Sequence, residues 1–204
     1  YSRIVKSFDD SNRVMHTNLN GTSQVLEFCK QHKVKLIYSA SSSKFGNGGK
    51  DENLSPYSWA KAKMVELIKN YHEWFGLQYE ICYFFNVYGP GQIMSGDYAT
   101  VIGIFERQMM AGDKLTVVSP GTQSRDFTHV DDIIDGLYKI GIGSEKHEDA
   151  WELGTGCNYS INEVADMFEY SNKSYVEDVK GNYRETIRIN NDAIEKLGWQ
   201  PTDK

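Results

Sequence analysis

The sequence predicts an α/β fold in which a parallel sheet carries helices on both faces and a smaller α+β portion follows. Three observations carry this. From Asp9 to Phe85 the apolar residues alternate between helical spacing and short buried runs, in the order helix, strand, loop, helix, strand. Each buried run ends in polar residues, Ser41 after the first and Asn86 after the second, at the strand ends where parallel sheets gather functional groups. Past Gly89, Pro90 and Gly91 the segments shorten and the rhythm loosens.

Residues 1–7 are too short to classify. Val14, Leu19, Val25, Leu26 and Phe28 predict a helix from Asp9 to His32, bent at Asn18 to Gly21, and Val34 to Ser39 reads as a buried strand. Ser41 to Ser55, with Gly46, Gly48 and Gly49, reads as a loop. A long helix opens next. Pro56 stands where a missing N–H costs nothing, Met64, Leu67, Ile68, Tyr71 and Phe75 keep the period, and Gly76 ends it. Tyr79 to Phe85 is the second buried strand. Further helices are expected at Thr100 to Met110, Val130 to Ile140, Ile161 to Tyr170 and Asp192 to Leu197. Short strands are expected near Leu115 to Val118, Asp126 to His129, Trp151 to Leu153 and Tyr175.

Composition excludes several classes. With 28 acidic and 22 basic residues the net charge is −6, spread without long runs, which argues against a nucleic-acid surface. Any anionic ligand must then be held by a few placed basic groups. Cys29, Cys82 and Cys157 lie far apart, with no Cys/His ligand spacing, so no metal site is expected. They read as small core residues in a reducing, cytoplasmic setting. No apolar run approaches the roughly 20 residues that cross a bilayer, and the first residues lack a signal-peptide pattern. His16, His32, His72 and His147 are expected on solvated faces, and Trp59, Trp74, Phe84, Phe85 and Tyr88 in the core.

Tyr57 and Lys61 carry the first chemical signal. Four residues apart on one helix, they share a face about one turn from each other. A phenol titrates near pH 10, so acting as a base at pH 7 costs about 4 kcal/mol, and a fixed ammonium nearby supplies part of that. Taken alone, the pair describes a packed ring and a snorkelling Lys. Ser41 changes the balance. A hydroxyl at the end of the first strand, followed by this pair, forms the Ser, Tyr, Lys arrangement of hydride-transfer enzymes.

The chain resembles the extended short-chain dehydrogenase/reductase superfamily, in its NAD-dependent nucleotide-sugar epimerase/dehydratase branch. The matching residues run in order: Asn18 to Thr22, Ser39 to Gly46, Tyr57 to Lys61, Phe85 to Pro90, Arg125 to Asp132, Leu153 to Gly156, and Leu197 to Trp199. The resemblance implies the C-terminal part of a Rossmann-type sheet plus a smaller substrate-binding portion. On that division residues 1–90 form a partial NAD-binding domain carrying the catalytic residues. Residues 91–204 mostly bind the nucleotide-sugar, with about 125–145 returning to the first domain.

Site roles follow by the same resemblance. Ser41 and Tyr57 become the catalytic hydroxyl and base, and Lys61 holds the nicotinamide ribose and lowers the Tyr57 pKa. Asn18 joins the cofactor network. Ser41, Ser42, Asn86 and Arg125 bind substrate, the last two at the diphosphate, where a guanidinium fork suits phosphate. His129 belongs to a strand-to-helix junction, with Asp131 and Asp132 favoured by the helix dipole.

Departures from the family pattern carry information. No GxGxxG or GxxGxxG phosphate loop is present, so the sequence reads as a fragment without the first strands. Val179 and Asn182 stand where many relatives place an Arg and an acid for the nucleotide, with Lys180 or Arg184 as substitutes. Ser42 and Ser43 stand where dehydratases place an Asp and a Glu. The expected activity is therefore epimerisation at C4 of a UDP-hexose, by transient oxidation to a keto sugar and re-reduction with NAD. The rivals are an ADP-heptose 6-epimerase-like enzyme, a dehydratase or reductase, and a non-catalytic nucleotide-binding scaffold. A homodimer through the helices at 9–32 and 57–75 is expected by analogy, with Trp74 and Met64 at the contact.

Overall fold

The computed structural model describes residues 1–49, 53–143 and 150–202, so His147 lies outside the described residues. Its first part runs α1 (Ile4–Asp9), α2 (Ser11–Val14), a π-helical segment (Met15–Asn20), α3 (Gly21–His32) and β1 (Leu36–Ser41). A 3-10 turn (Ser42–Phe45) and α4 (Gly46–Gly49) lead to α5 (Pro56–Phe75), β2 (Tyr79–Phe84) and β3 (Val87–Tyr88). Then follow α6 (Val101–Ala111), β4 (Leu115–Val118), β5 (Ser124–Asp126), β6 (Thr128–His129), α7 (Val130–Ile142) and β7 (Trp151–Leu153). The last elements are β8 (Asn158–Ser160), α8 (Ile161–Met167), β9 (Lys173–Val176), β10 (Glu185–Thr186) and α9 (Asp192–Leu197).

The main sheet has the order β1, β2, β7, all parallel, with Leu36 opposite Tyr79, Ser41 opposite Phe84, and Cys82 opposite Trp151. β2 is the central strand, and its residues are buried almost throughout because helices cover both faces. On one face Leu26 of α3 and Met64, Val65 and Ile68 of α5 pack with Tyr79 and Ile81. On the other, Ile133 and Ile140 of α7 and Trp199 pack with Cys82 and Leu153. Gly136 permits that second approach: a Cβ there would stand 2.8 Å from a Leu153 methyl. A third cluster, around Phe105, Leu115, Val117 and Val164, fills the space between α6, α8 and β4. Three smaller pairings complete the fold: β3 with β6, β4 with β9, and β5 between β10 and β8.

The helix ends follow local chemistry. Ser55 accepts the Ser58 N–H at 3.1 Å, Pro56 opens α5, and Gly76 closes it at φ 69°, where a Cβ is disfavoured. Ser160 and Glu163 form a reciprocal capping box on α8. His129 caps α7 by accepting the Asp131 N–H, so its expected structural place is where it stands.

Several expectations need correction. Residues 4–9 are helical, packed against α5, although seven residues show no readable period. The span from Ser41 to Ser55 is partly helical, and Asp126 to His129 divides at Phe127 into β5 and β6. Cys157 is exposed on the turn before β8 rather than in a core. Trp74 is 60% exposed, because it follows the last buried turn of α5. Met64 is buried against the sheet and cannot serve an outer contact. His72 is half-buried, its Nδ1 2.9 Å from the Leu77 carbonyl, where it ties the end of α5 to the approach to β2.

Candidate active site

Ser41, Tyr57 and Lys61 converge because β1 and α5 meet at the carboxyl end of the sheet. Ser41 closes β1 and its Oγ starts the 3-10 turn, accepting the Ser43 N–H at 3.3 Å and lying 2.9 Å from the Ser43 Oγ. Ser42 and Ser43 are buried beneath it. Tyr57 stands in the first turn of α5, near enough to Ser41 for the serine hydroxyl to favour its phenolate. One turn on, Lys61 Nζ donates to the Ser39 carbonyl at 2.7 Å and lies 4.8 Å from the centre of the Tyr38 ring.

The electrostatics differ from the expectation in one respect. Burial pushes the Tyr57 phenol above its ordinary pKa, against the pull of the Ser41 hydroxyl and the Arg3 guanidinium toward the phenolate. The lowering expected from Lys61 is not the net outcome. Lys61 is itself desolvated, its pKa pushed down to about 8, and its ammonium is engaged with Ser39 and Tyr38.

Asn18 is buried in the π-helical segment, and its amide makes two hydrogen bonds to the Tyr1 backbone, at 2.9 and 3.0 Å. Such segments recur at functional sites because the extra residue re-aims a side chain. Asn18, Thr22, Tyr38 and Lys61 line a cavity of about 340 Å³ beside β1. Its donor set fits a ribose: an amide, a hydroxyl, and an ammonium with N–H groups beyond the one that Ser39 accepts.

A second cavity, of about 320 Å³, is lined by Arg3, Asn86, Arg125, Val179 and Asn182 among others. Asn86 sits past β2 at φ 25°, its amide donating to the Asp126 carbonyl at 3.1 Å. Arg125 is 8% exposed and does not pair with Asp126. Its Nη1 donates to the Ser124 and Arg184 carbonyls, its Nη2 to Asn182 Oδ1 and the Tyr183 carbonyl, and its plane lies 3.9 Å from the Tyr183 ring centre. It therefore braces the wall formed by residues 182–184. Lys180 and Arg184 do not line this cavity: Lys180 lies over the Phe8 ring and Arg184 pairs with Asp178 at 2.9 Å.

Two groups escaped sequence inspection. Asp126, fully buried, accepts from the Thr155 N–H and hydroxyl at 2.8 and 2.7 Å, from Gly156 at 2.9 Å and from Arg188 at 3.1 Å, clamping the 154–156 turn to residue 188. Arg3 is the other, and nothing in a seven-residue segment without a period marked it. Among the described residues no group of three His, Cys, Asp or Glu is arranged to hold a metal ion, and no helix is long and apolar enough to cross a membrane.

The profile of the NAD dependent epimerase/dehydratase family matches residues 1–154. A UDP-glucuronate 4-epimerase of Thermodesulfobacterium geofontis is 30% identical over 201 residues, covering 91% of this chain and 60% of that protein. UDP-glucuronic acid decarboxylase 3 of Arabidopsis thaliana is 29% identical, covering 94% of this chain and 60% of that protein. The crystal structure of a UDP-glucose 4-epimerase from Thermotoga maritima, with UDP-glucose, superposes with a TM-score of 0.90 at 26% identity, over the whole of this chain and 70% of that one. The chain thus spans about 60% of the length of the curated relatives it matches. With a parallel sheet flanked by helices, the Ser, Tyr, Lys geometry at its carboxyl edge and this match over three quarters of its length, the chain belongs to the NAD dependent epimerase/dehydratase family.

Proposed function

We propose that the protein is a nucleotide-sugar epimerase acting at C4 of a UDP-hexose. The observation that carries this reading is the placement of Ser41 at the end of β1 and of Tyr57 in the first turn of α5, with Lys61 one turn along and tied to the Ser39 carbonyl at 2.7 Å. Tyr57 is the proton acceptor for the C4 hydroxyl and returns the proton when the keto sugar is reduced. Ser41 orients that oxygen and favours the phenolate. Lys61, Asn18 and the 340 Å³ cavity hold the ribose of NAD, which supplies the hydride acceptor and donor when bound. Asn86 and the wall braced by Arg125 receive the nucleotide diphosphate.

Dehydration is the weaker reading because Ser42 and Ser43 follow Ser41, and buried hydroxyls are poor acids and bases for removing water. The relatives named for UDP-glucose, UDP-glucuronate and decarboxylation support the substrate class at the level of UDP-sugars. A homodimer through α3 and α5 suits the exposed Val25, Phe28, Trp74 and Phe75 on those helices. The test of function is incubation of the full-length protein and NAD with a UDP-hexose. Inversion at C4, lost in Tyr57→Phe, supports the reading, and no change in the sugar refutes it.

A further inference from the structure

Tyr83 stands on the central strand β2, 2% exposed and opposite Ala40 of β1, one position before the pair that Ser41 makes with Phe84. The 3-10 turn that follows Ser41 is fastened to it at its far end. Lys44 Nζ donates to the Tyr83 hydroxyl at 3.2 Å and lies 5.5 Å from its ring centre, while the Phe45 ring meets the Tyr83 ring edge-on at 4.7 Å. Phe45 also stacks with Phe85 at 6.0 Å. At the near end, the turn sets the Ser41 hydroxyl, whose Oγ accepts the Ser43 N–H at 3.3 Å and lies 2.9 Å from the Ser43 Oγ. So short a 3-10 segment makes few hydrogen bonds of its own, and its form depends on what holds its ends.

We propose that Lys44 and Tyr83 are positioning residues, which aim the Ser41 hydroxyl at the sugar oxygen by holding the turn between them. The proposal rests on the reading of Ser41 as the group that orients that oxygen. Ring packing of Phe45 is weakly directional, and the Lys44 bond adds the direction: a hydrogen bond from an ammonium is about twice as strong as a neutral one. If the turn shifts, Ser43 moves and the two contacts that aim Ser41 Oγ go with it. A shift of about 1 Å in a positioning group is enough to cost up to about 10²-fold in rate.

The test is Tyr83→Phe in the full-length protein with NAD, alone and combined with Ser41→Ala, read by turnover of a UDP-hexose and by backbone hydrogen exchange. Tyr83→Phe keeps the ring that Phe45 packs on and removes the oxygen that Lys44 reaches. It is expected to lower kcat about 3- to 10-fold with KM unchanged, and to speed exchange across residues 42–45 while α5 and β2 keep their protection. In the Ser41→Ala background the same substitution costs nothing further, because no hydroxyl is left to aim. Lys44→Met, which removes the other half of the bond, matches Tyr83→Phe, and Lys44→Arg keeps part of the rate. Unchanged kcat or unchanged exchange across 42–45 overturns the proposal. An equal loss with and without Ser41 overturns it too, marking Tyr83 as support for the fold alone. Wild type that leaves the UDP-hexose unchanged contradicts the epimerase reading; exchange across 42–45 then decides the tether by itself, which keeps the two failures apart.

Discussion

Lys61 donates a 2.7 Å hydrogen bond to the Ser39 carbonyl, fastening the second turn of α5 to the end of β1 and drawing an ammonium out of water. Desolvation brings its pKa down to about 8 from 10.5. A base whose pKa is depressed on folding binds more protons when unfolded, so stability rises with pH between those two values. Thermal melts of Lys61→Met and wild type are expected to differ most in the variant's favour below pH 8. The difference shrinks as pH climbs toward 10.5, and one that grows with pH contradicts the assignment. Turnover is lost in the same variant at every pH.

Ser41 and Tyr57 act as a pair. Tyr57→Phe keeps the ring and the packing of α5 and lowers kcat by about 10² to 10⁴, with substrate binding kept. Ser41→Ala removes a hydroxyl that favours the phenolate, so it lowers kcat about 10- to 100-fold and moves the rising, acid-side limb of the pH profile to higher pH. A limb that moves downward would show that the hydroxyl stabilises the neutral phenol instead.

Asp126 is the structural anchor of the second half of the site. Asp126→Ala leaves the Thr155, Gly156 and Arg188 donors without their carboxylate. Denaturant unfolding is expected to show a loss of about 3 kcal/mol or more. A loss under 1 kcal/mol would mean that water replaces it.

Trp74 and Phe28 are exposed on the outer helices. If a second copy covers them, Trp74→Glu converts a dimer to monomers in size measurements, while Met64→Ala destabilises the fold because that side chain is buried against the sheet. Wild type that elutes as a monomer removes the dimer.

The sequence showed what repeats or caps. The period of α5, bounded by Pro56 and Gly76, and the buried run of β2 were legible because a helix of 20 residues and an inner strand each leave a strong pattern. β3, β8 and β10 were not, since two or three residues carry no period and their pairing depends on distant partners. At the site, Ser41, Tyr57 and Lys61 could be placed by order along the chain. The raised Tyr57 pKa and the orientation of Lys61 toward Ser39 depend on burial in three dimensions, which spacing does not encode. Arg3 and Asp126 show the same limit: one has a buried nitrogen without a partner, the other accepts four hydrogen bonds from three residues, and neither fact has a local signature.

The most direct test of the central claim is proton NMR of the sugar ring during incubation of the full-length protein and NAD with UDP-glucuronate and, separately, UDP-glucose. Inversion at C4 is expected, with the carbon skeleton and oxidation level intact, and is abolished in Tyr57→Phe. A 4,6-dehydrated sugar, a decarboxylated pentose, or a bound but unchanged hexose would contradict it.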